Sequence, residues 1–116
     1  MAHDAELMQA CIRECLSCHS TCLETMSRSL QEGGQHAEPK PITTLLDCAA
    51  ICQTSADFML RGSELHAAVC ATCAEICEAC ARECARFNHT FLQQCAEECR
   101  RCAEICREMA GMRAAV

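Results

Sequence analysis

Apolar and polar positions along this chain recur in threes and fours, the period of amphipathic helices, and the rhythm breaks at only three interior places. A first segment runs from about Asp4, placed as an N-cap, to Glu32, and stops at Gly33-Gly34. The stretch 33–41 (GGQHAEPKP) is the one real linker, and Pro41 suits the first turn of the next helix. A second segment spans about 41–61 and ends at Gly62. Ser63 then caps a third, about 64–87, with Asn88 placed to end it in a left-handed conformation. A fourth covers about 89–110 and closes at Gly111. No segment is broken by an interior proline, and β-branched runs, which would argue for strands, are nearly absent. Short connections make successive helices antiparallel, so the pattern predicts an all-α, antiparallel up-down-up-down four-helix bundle, with 1–116 as one domain.

What occupies the inward stripe is unusual. The chain holds 15 cysteines in 116 residues. They are Cys11, Cys15, Cys18 and Cys22 in the first segment and Cys48 and Cys52 in the second. The third carries Cys70, Cys73, Cys77, Cys80 and Cys84, and the fourth carries Cys95, Cys99, Cys102 and Cys106. Within a segment every interval is three or four, which holds all the thiols on one helical face. A bundle normally places leucine and isoleucine there, so the predicted core is lined with sulfur.

Packing alone does not account for such a stripe. Cysteine fills far less volume than leucine, and each methyl-sized void costs about 1 kcal/mol against a total stability of roughly 5–15 kcal/mol. Disulfides fit poorly as well. Cβ atoms three or four residues apart on a helix are about 5–6 Å apart, a disulfide needs about 3.8 Å, and an odd count leaves one thiol over. Soft-metal ligation uses this geometry directly. Seven Cys-x-x-x-Cys pairs are joined by four Cys-x-x-Cys pairs into ladders. Zinc wants closed sets of four ligands, and iron–sulfur clusters want discrete fours in irregular loops, whereas these ladders do not divide into fours. One Cu⁺ per thiolate leaves a nearly neutral interior, but Zn²⁺ at four thiolates per ion leaves a buried negative charge. The expected cargo is therefore multiple Cu(I) ions, on the order of 15 per chain.

Composition removes other classes. A net charge of −6 gives no electrostatic footprint for nucleic acid, and three phenylalanines are the only aromatic residues. The start, MAHDAELMQ, lacks the pattern of a secretory signal, and no stretch is apolar enough to span a bilayer, so a cytoplasmic location without membrane partners is expected. A thiol enzyme or redox sensor needs one activated cysteine in a partly exposed electropositive setting, and nothing here resembles a nucleophile with its base. No catalysis is expected. The competing reading is a general soft-metal buffer for Zn, Cd or Ag ions.

The ladders CIRECLSCHSTC, CATCAEICEACAREC and CAEECRRCAEIC, with the joining stretch LLDCAAICQTSADFMLRGSELH, resemble the cytosolic branch of the four-helix-bundle copper storage proteins over nearly the whole chain. The resemblance implies an up-down bundle that assembles as a homotetramer and sequesters many Cu(I) ions per protomer. Exchange with a copper chaperone or an efflux donor or acceptor fits that role. One departure stands out: the second helix has only two cysteines, and its next stripe position is Ser55, expected to leave a hole in one wall.

Beyond the thiols the stripe continues differently at each end. At one end come Met8, Met59, His66 and Met109, whose neutral thioethers and imidazole suit passing Cu(I) inward to tighter thiolates. At the other come Met26, Leu30, Leu45, Phe87 and Phe91, an apolar plug. His19 flanks the stripe, while His3, His36 and His89 are expected in solvent. Glu83, Glu97 and Glu98 with Arg82, Arg100 and Arg101 read as an exposed charged face. A thinner apolar stripe (Ile12, Leu16, Leu23, Ile51, Ile76, Ile105) is left for helix or subunit packing.

Overall fold

The computed structural model describes residues 2–111, and of His3 the side chain lies outside the described part. Four α-helices carry the chain: α1 (Ala2–Glu32), α2 (Pro39–Leu60), α3 (His66–Ala85) and α4 (Thr90–Met109). Among the described residues there is no strand. Each helix packs on two neighbours, in the ring α1–α2–α3–α4–α1. Sulfur contacts fix the directions. Rising through Cys11, Cys15 and Cys22 on α1 meets Cys106 and then Cys99 on α4, descending. Cys48 and Cys52 on α2 likewise run against Cys77 and Cys73 on α3. The bundle is antiparallel, up-down-up-down.

The stops are where glycine was read. Gly33, Gly62 and Gly111 all adopt positive φ (73°, 68° and 79°). At Gly62 the reason is visible: its N–H returns to the Met59 carbonyl while the Ser63 N–H reaches Phe58, the paired bonds of a Schellman ending. The Ser63 hydroxyl accepts the Leu65 N–H at 3.1 Å, but Ser63 is not the cap it was expected to be: α3 starts at His66, with Leu65 at the N-cap and no side-chain bond there. Asp4 lies inside the first turn of α1 rather than capping it, because the helix already starts at Ala2. Asn88 is a correction, since no described non-glycine residue has positive φ. α3 instead tightens through bonds from Arg86 to Glu83 and from Phe87 to Cys84. The Gln93 amide then donates to the Phe87 and Ala85 carbonyls, satisfying groups that a glycine or asparagine cap would otherwise serve. The linker holds one 3-10 turn, Gln35–Ala37.

A second regularity lies beside several of the cysteines of α2, α3 and α4. Ala49, Ala74, Ala81, Ala96 and Ala103 each follow a cysteine and are almost wholly buried, as is Ala56 after Ser55. Small residues at the seams let α2, α3 and α4 approach closely, and close approach brings thiols from different helices into contact. On α1 the following residues are larger: Ile12, Leu16, His19 and Leu23. Ile12 is buried, and Leu23, Ile51, Ile76 and Ile105 pack against the core, whereas Leu16 is exposed.

Candidate metal centre

All fifteen thiols are free, and none is more than 2% exposed. They form a continuous net. Cys11 and Cys15 lie 3.8 and 3.6 Å from Cys106, and Cys102 lies 3.9 Å from Cys15. Cys52 touches Cys73, Cys77 and Cys102 at 3.8, 3.6 and 3.8 Å. Cys99 sits 3.9 Å from each of Cys18, Cys22 and Cys48. Thiolates at about 2.3 Å around a three-coordinate soft ion would be about 4 Å apart, so these spacings approximate its edges before any ion arrives. Overlapping sets of four sulfurs lie within 4.8 Å of one another: Cys15, Cys73, Cys102 and Cys106; Cys52, Cys73, Cys77 and Cys102; Cys18, Cys48, Cys52 and Cys77; Cys18, Cys22, Cys48 and Cys99. Consecutive sets share members, which is how a ladder differs from separate tetrahedral sites.

Protons are distributed unevenly over the net. Hydrogen bonds from Cys102, then Cys106 and Cys11, draw Cys15 down to about 5. Those from Cys106 and Cys11, aided by Ser55 and opposed by burial, draw Cys70 down to about 3. Cys18 and Cys73 are lowered by the same kind of donation, in both cases chiefly from Cys102. Cys22 and Cys99 beside Cys18, and Cys52 and Cys106 beside Cys102, are pushed up. A buried thiolate is tolerated where several S–H groups point at it, and those donors must then keep their protons.

The two ends differ as the sequence suggests. Met59 is buried with Sδ 3.9 Å from Cys70 Sγ, and Met8 and Met109 pack half-buried against the core. His66 Nδ1 lies 2.9 Å from the Ser63 carbonyl, which can only accept, so the ring carries its proton on Nδ1 and leaves Nε2 free as a ligand. Ser55 is a correction to the expected hole. It is fully buried with Oγ 3.4 Å from Cys70 Sγ, filling the position sterically while withholding a thiolate.

At the far end Leu45, Phe87, Phe91 and Met26 form the plug, but Leu30 is 55% exposed and takes no part. Leu92, which the sequence reading missed, is fully buried there. Its signal was the three-residue step from Leu92 to Cys95. His36 is also a correction: it is 3% exposed, edge-on to Phe87 and Phe91, whereas His89 is exposed as expected. His19 donates from Nδ1 to the Ala49 carbonyl at 2.8 Å, buckling α1 to α2. Glu83 is buried rather than on an exposed face, held by Arg86 at 2.6 Å and Lys40 at 3.8 Å. Glu98 pairs with Arg101 at 3.5 Å and Arg107 with Glu78.

A continuous thiol ladder inside four helices is matched elsewhere. A sequence profile of the copper storage proteins covers residues 4–111. The chain belongs to the copper storage protein family. Among solved structures, the Nmul_A1745 protein of Nitrosospira multiformis is 44% identical with a TM-score of 0.88, over 93% of this chain and 98% of that one. The Cu(I)-bound copper storage protein BsCsp3 of Bacillus subtilis is 38% identical over 90% of this chain and 98% of its own, with a TM-score of 0.85. A cytosolic copper storage protein of Streptomyces lividans carrying five coppers is 35% identical over 96% and 98%, with a TM-score of 0.89. Copper storage proteins thus share both this bundle and its sulfur-lined interior.

Proposed function

We propose that this protein stores Cu(I) in the cytosol, without catalysis, using all fifteen cysteines as ligands. The observation that carries the reading is the net of sulfurs at 3.6–3.9 Å that runs from Cys11 and Cys106 to Cys22 and Cys99 across all four helices. Each thiol has neighbours on other helices, so ions can be bridged from one set of thiolates to the next. The Cu(I)-bound and copper-loaded states of the relatives support it. Titrating the reduced protein anaerobically with Cu(I) against a chromophoric chelator should saturate at on the order of 15 ions per chain. An endpoint near one metal per four thiols, with zinc preferred, would instead make it a soft-metal buffer.

Met8, Met59, His66 and Met109 form the entry in this reading, with the thioether of Met59 nearest the first thiol, Cys70. Replacing Met59 and His66 together should slow loading by about tenfold or more and leave the final capacity unchanged. Stopped-flow mixing with a Cu(I) donor measures this, and an unchanged rate sinks the entry role. Homotetramer assembly and exchange with a copper chaperone or efflux partner complete the proposal. Exposed Leu46, Leu60 and Leu65 are available for such contacts.

A further inference from the structure

A polar cluster lies outside the thiol net, at the plugged end. Glu32 ends α1, His36 sits in the 3-10 turn of the linker, and His89 precedes α4. One ligand atom from each lies within 4.8 Å of the others. We infer that Glu32, His36 and His89 form a second metal site, built for a zinc-class divalent cation rather than for Cu(I).

Two independent observations carry this. The first is the juxtaposition of two imidazoles and a carboxylate from three separate chain segments. The second is the state of His36. The residue is only 3% exposed, yet Nδ1 is buried with no hydrogen-bond partner. A buried, unsatisfied ring nitrogen is costly, and a polar group left so calls for a partner. The ring is fixed edge-on between Phe87, Phe91 and His89, with centroids 6.2, 5.6 and 4.7 Å away. His36 is thus immobilised, while its two co-ligands, Glu32 and His89, are exposed.

The donor set selects the ion. Imidazole nitrogen and carboxylate oxygen suit Zn²⁺, whereas Cu(I) prefers the thiolates of the core. Tetrahedral zinc ligands at about 2.0–2.1 Å are about 3.4 Å apart, so Glu32 and His89 close on His36 by rotating their side chains. Arg28 already holds Glu32 Oε2 at 2.8 Å and stacks over Phe91 at 4.3 Å. That contact keeps the carboxylate ionised and leaves further lone pairs for the metal. Water takes the fourth position. Filled, the site ties the end of α1, the linker and the α3–α4 turn together over Phe87 and Phe91.

The test uses Cu(I)-saturated protein under anaerobic conditions, so that the thiols are occupied, and titrates it with Zn²⁺ alone by calorimetry. One Zn²⁺ per chain is expected, and the ring signals of His36 and His89 should shift together in NMR spectra. His89→Ala and Glu32→Gln, both at exposed positions, should keep the Cu(I) capacity and lose at least about tenfold in Zn²⁺ affinity. The proposal is overturned by no stoichiometric uptake, or by uptake that survives both substitutions. Should either variant misfold, the unaltered protein decides alone: titration without joint movement of the two ring signals also overturns it.

Discussion

Cu(I)-saturated protein should unfold at least about 20 °C above the reduced, metal-free form. The metal-free core carries fifteen small thiols where a bundle would place larger aliphatic side chains. None of α2, α3 or α4 has a side-chain hydrogen bond at its N-cap, so local signals add little. Each ion closes thiolates from two or more helices and binds weakly to an unfolded chain that cannot present them together. A single ion held at a thousandfold its dissociation constant adds about 4.1 kcal/mol. In a chain this size each kcal/mol moves the midpoint by several degrees. Melting both forms by circular dichroism under anaerobic conditions checks the expectation. A shift of only a few degrees would place the ions outside the core. Because each thiol must lose a proton to bind, loading should weaken as pH falls, and it should persist furthest at thiols drawn down by their neighbours, such as Cys18, Cys73, Cys70 and Cys15, rather than at those pushed up.

Replacing Cys52 by serine should remove about two to three Cu(I) from the capacity, whereas the same change at Cys84 should remove about one. Cys52 belongs to two of the overlapping four-sulfur sets, through Cys18, Cys48 and Cys77 on one side and Cys73, Cys77 and Cys102 on the other. Cys84 lies at the plugged end, with Cys80 and Cys95 as its sulfur neighbours. Both are buried, and serine preserves their size, so folding should be affected alike. Competition titration of the two variants gives the comparison. Equal losses would mean that ions occupy independent sites rather than a shared net.

Most of this architecture was legible in the sequence because the chemistry and the period reinforce each other. Cys11 to Cys22 and Cys95 to Cys106 step by threes and fours, and a helix turns such steps into one face. Gly62 stopped its helix for a reason that can be stated in advance, since only glycine adopts that φ cheaply. The misreadings fall where period carries no information. His36 sits in the stretch 33–38 between α1 and α2, just after Gly33 and Gly34, and only the fold brings Phe87 and Phe91 over it. Leu30 was read as continuing the stripe of α1, but the buried face runs from Cys22 through Thr25 to Ser29, and Leu30, one residue on, turns 55% exposed. Asn88 looked like a terminator because the role of Gln93, five residues later in sequence, depends on a side chain folding back. The alanines after Cys48, Cys73, Cys80, Cys95 and Cys102 were present in the sequence but needed the seams to acquire meaning.

The depth of the sulfurs has a consequence for the empty protein. Thiol damage requires both a thiolate and access, and Cys15 and Cys70 supply the first while solvent reaches neither. To a peroxide in the surroundings, a chain with fifteen reduced cysteines presents almost none. The protein can therefore stand by between episodes of metal excess, its reactive groups kept in reserve by burial rather than by continual repair.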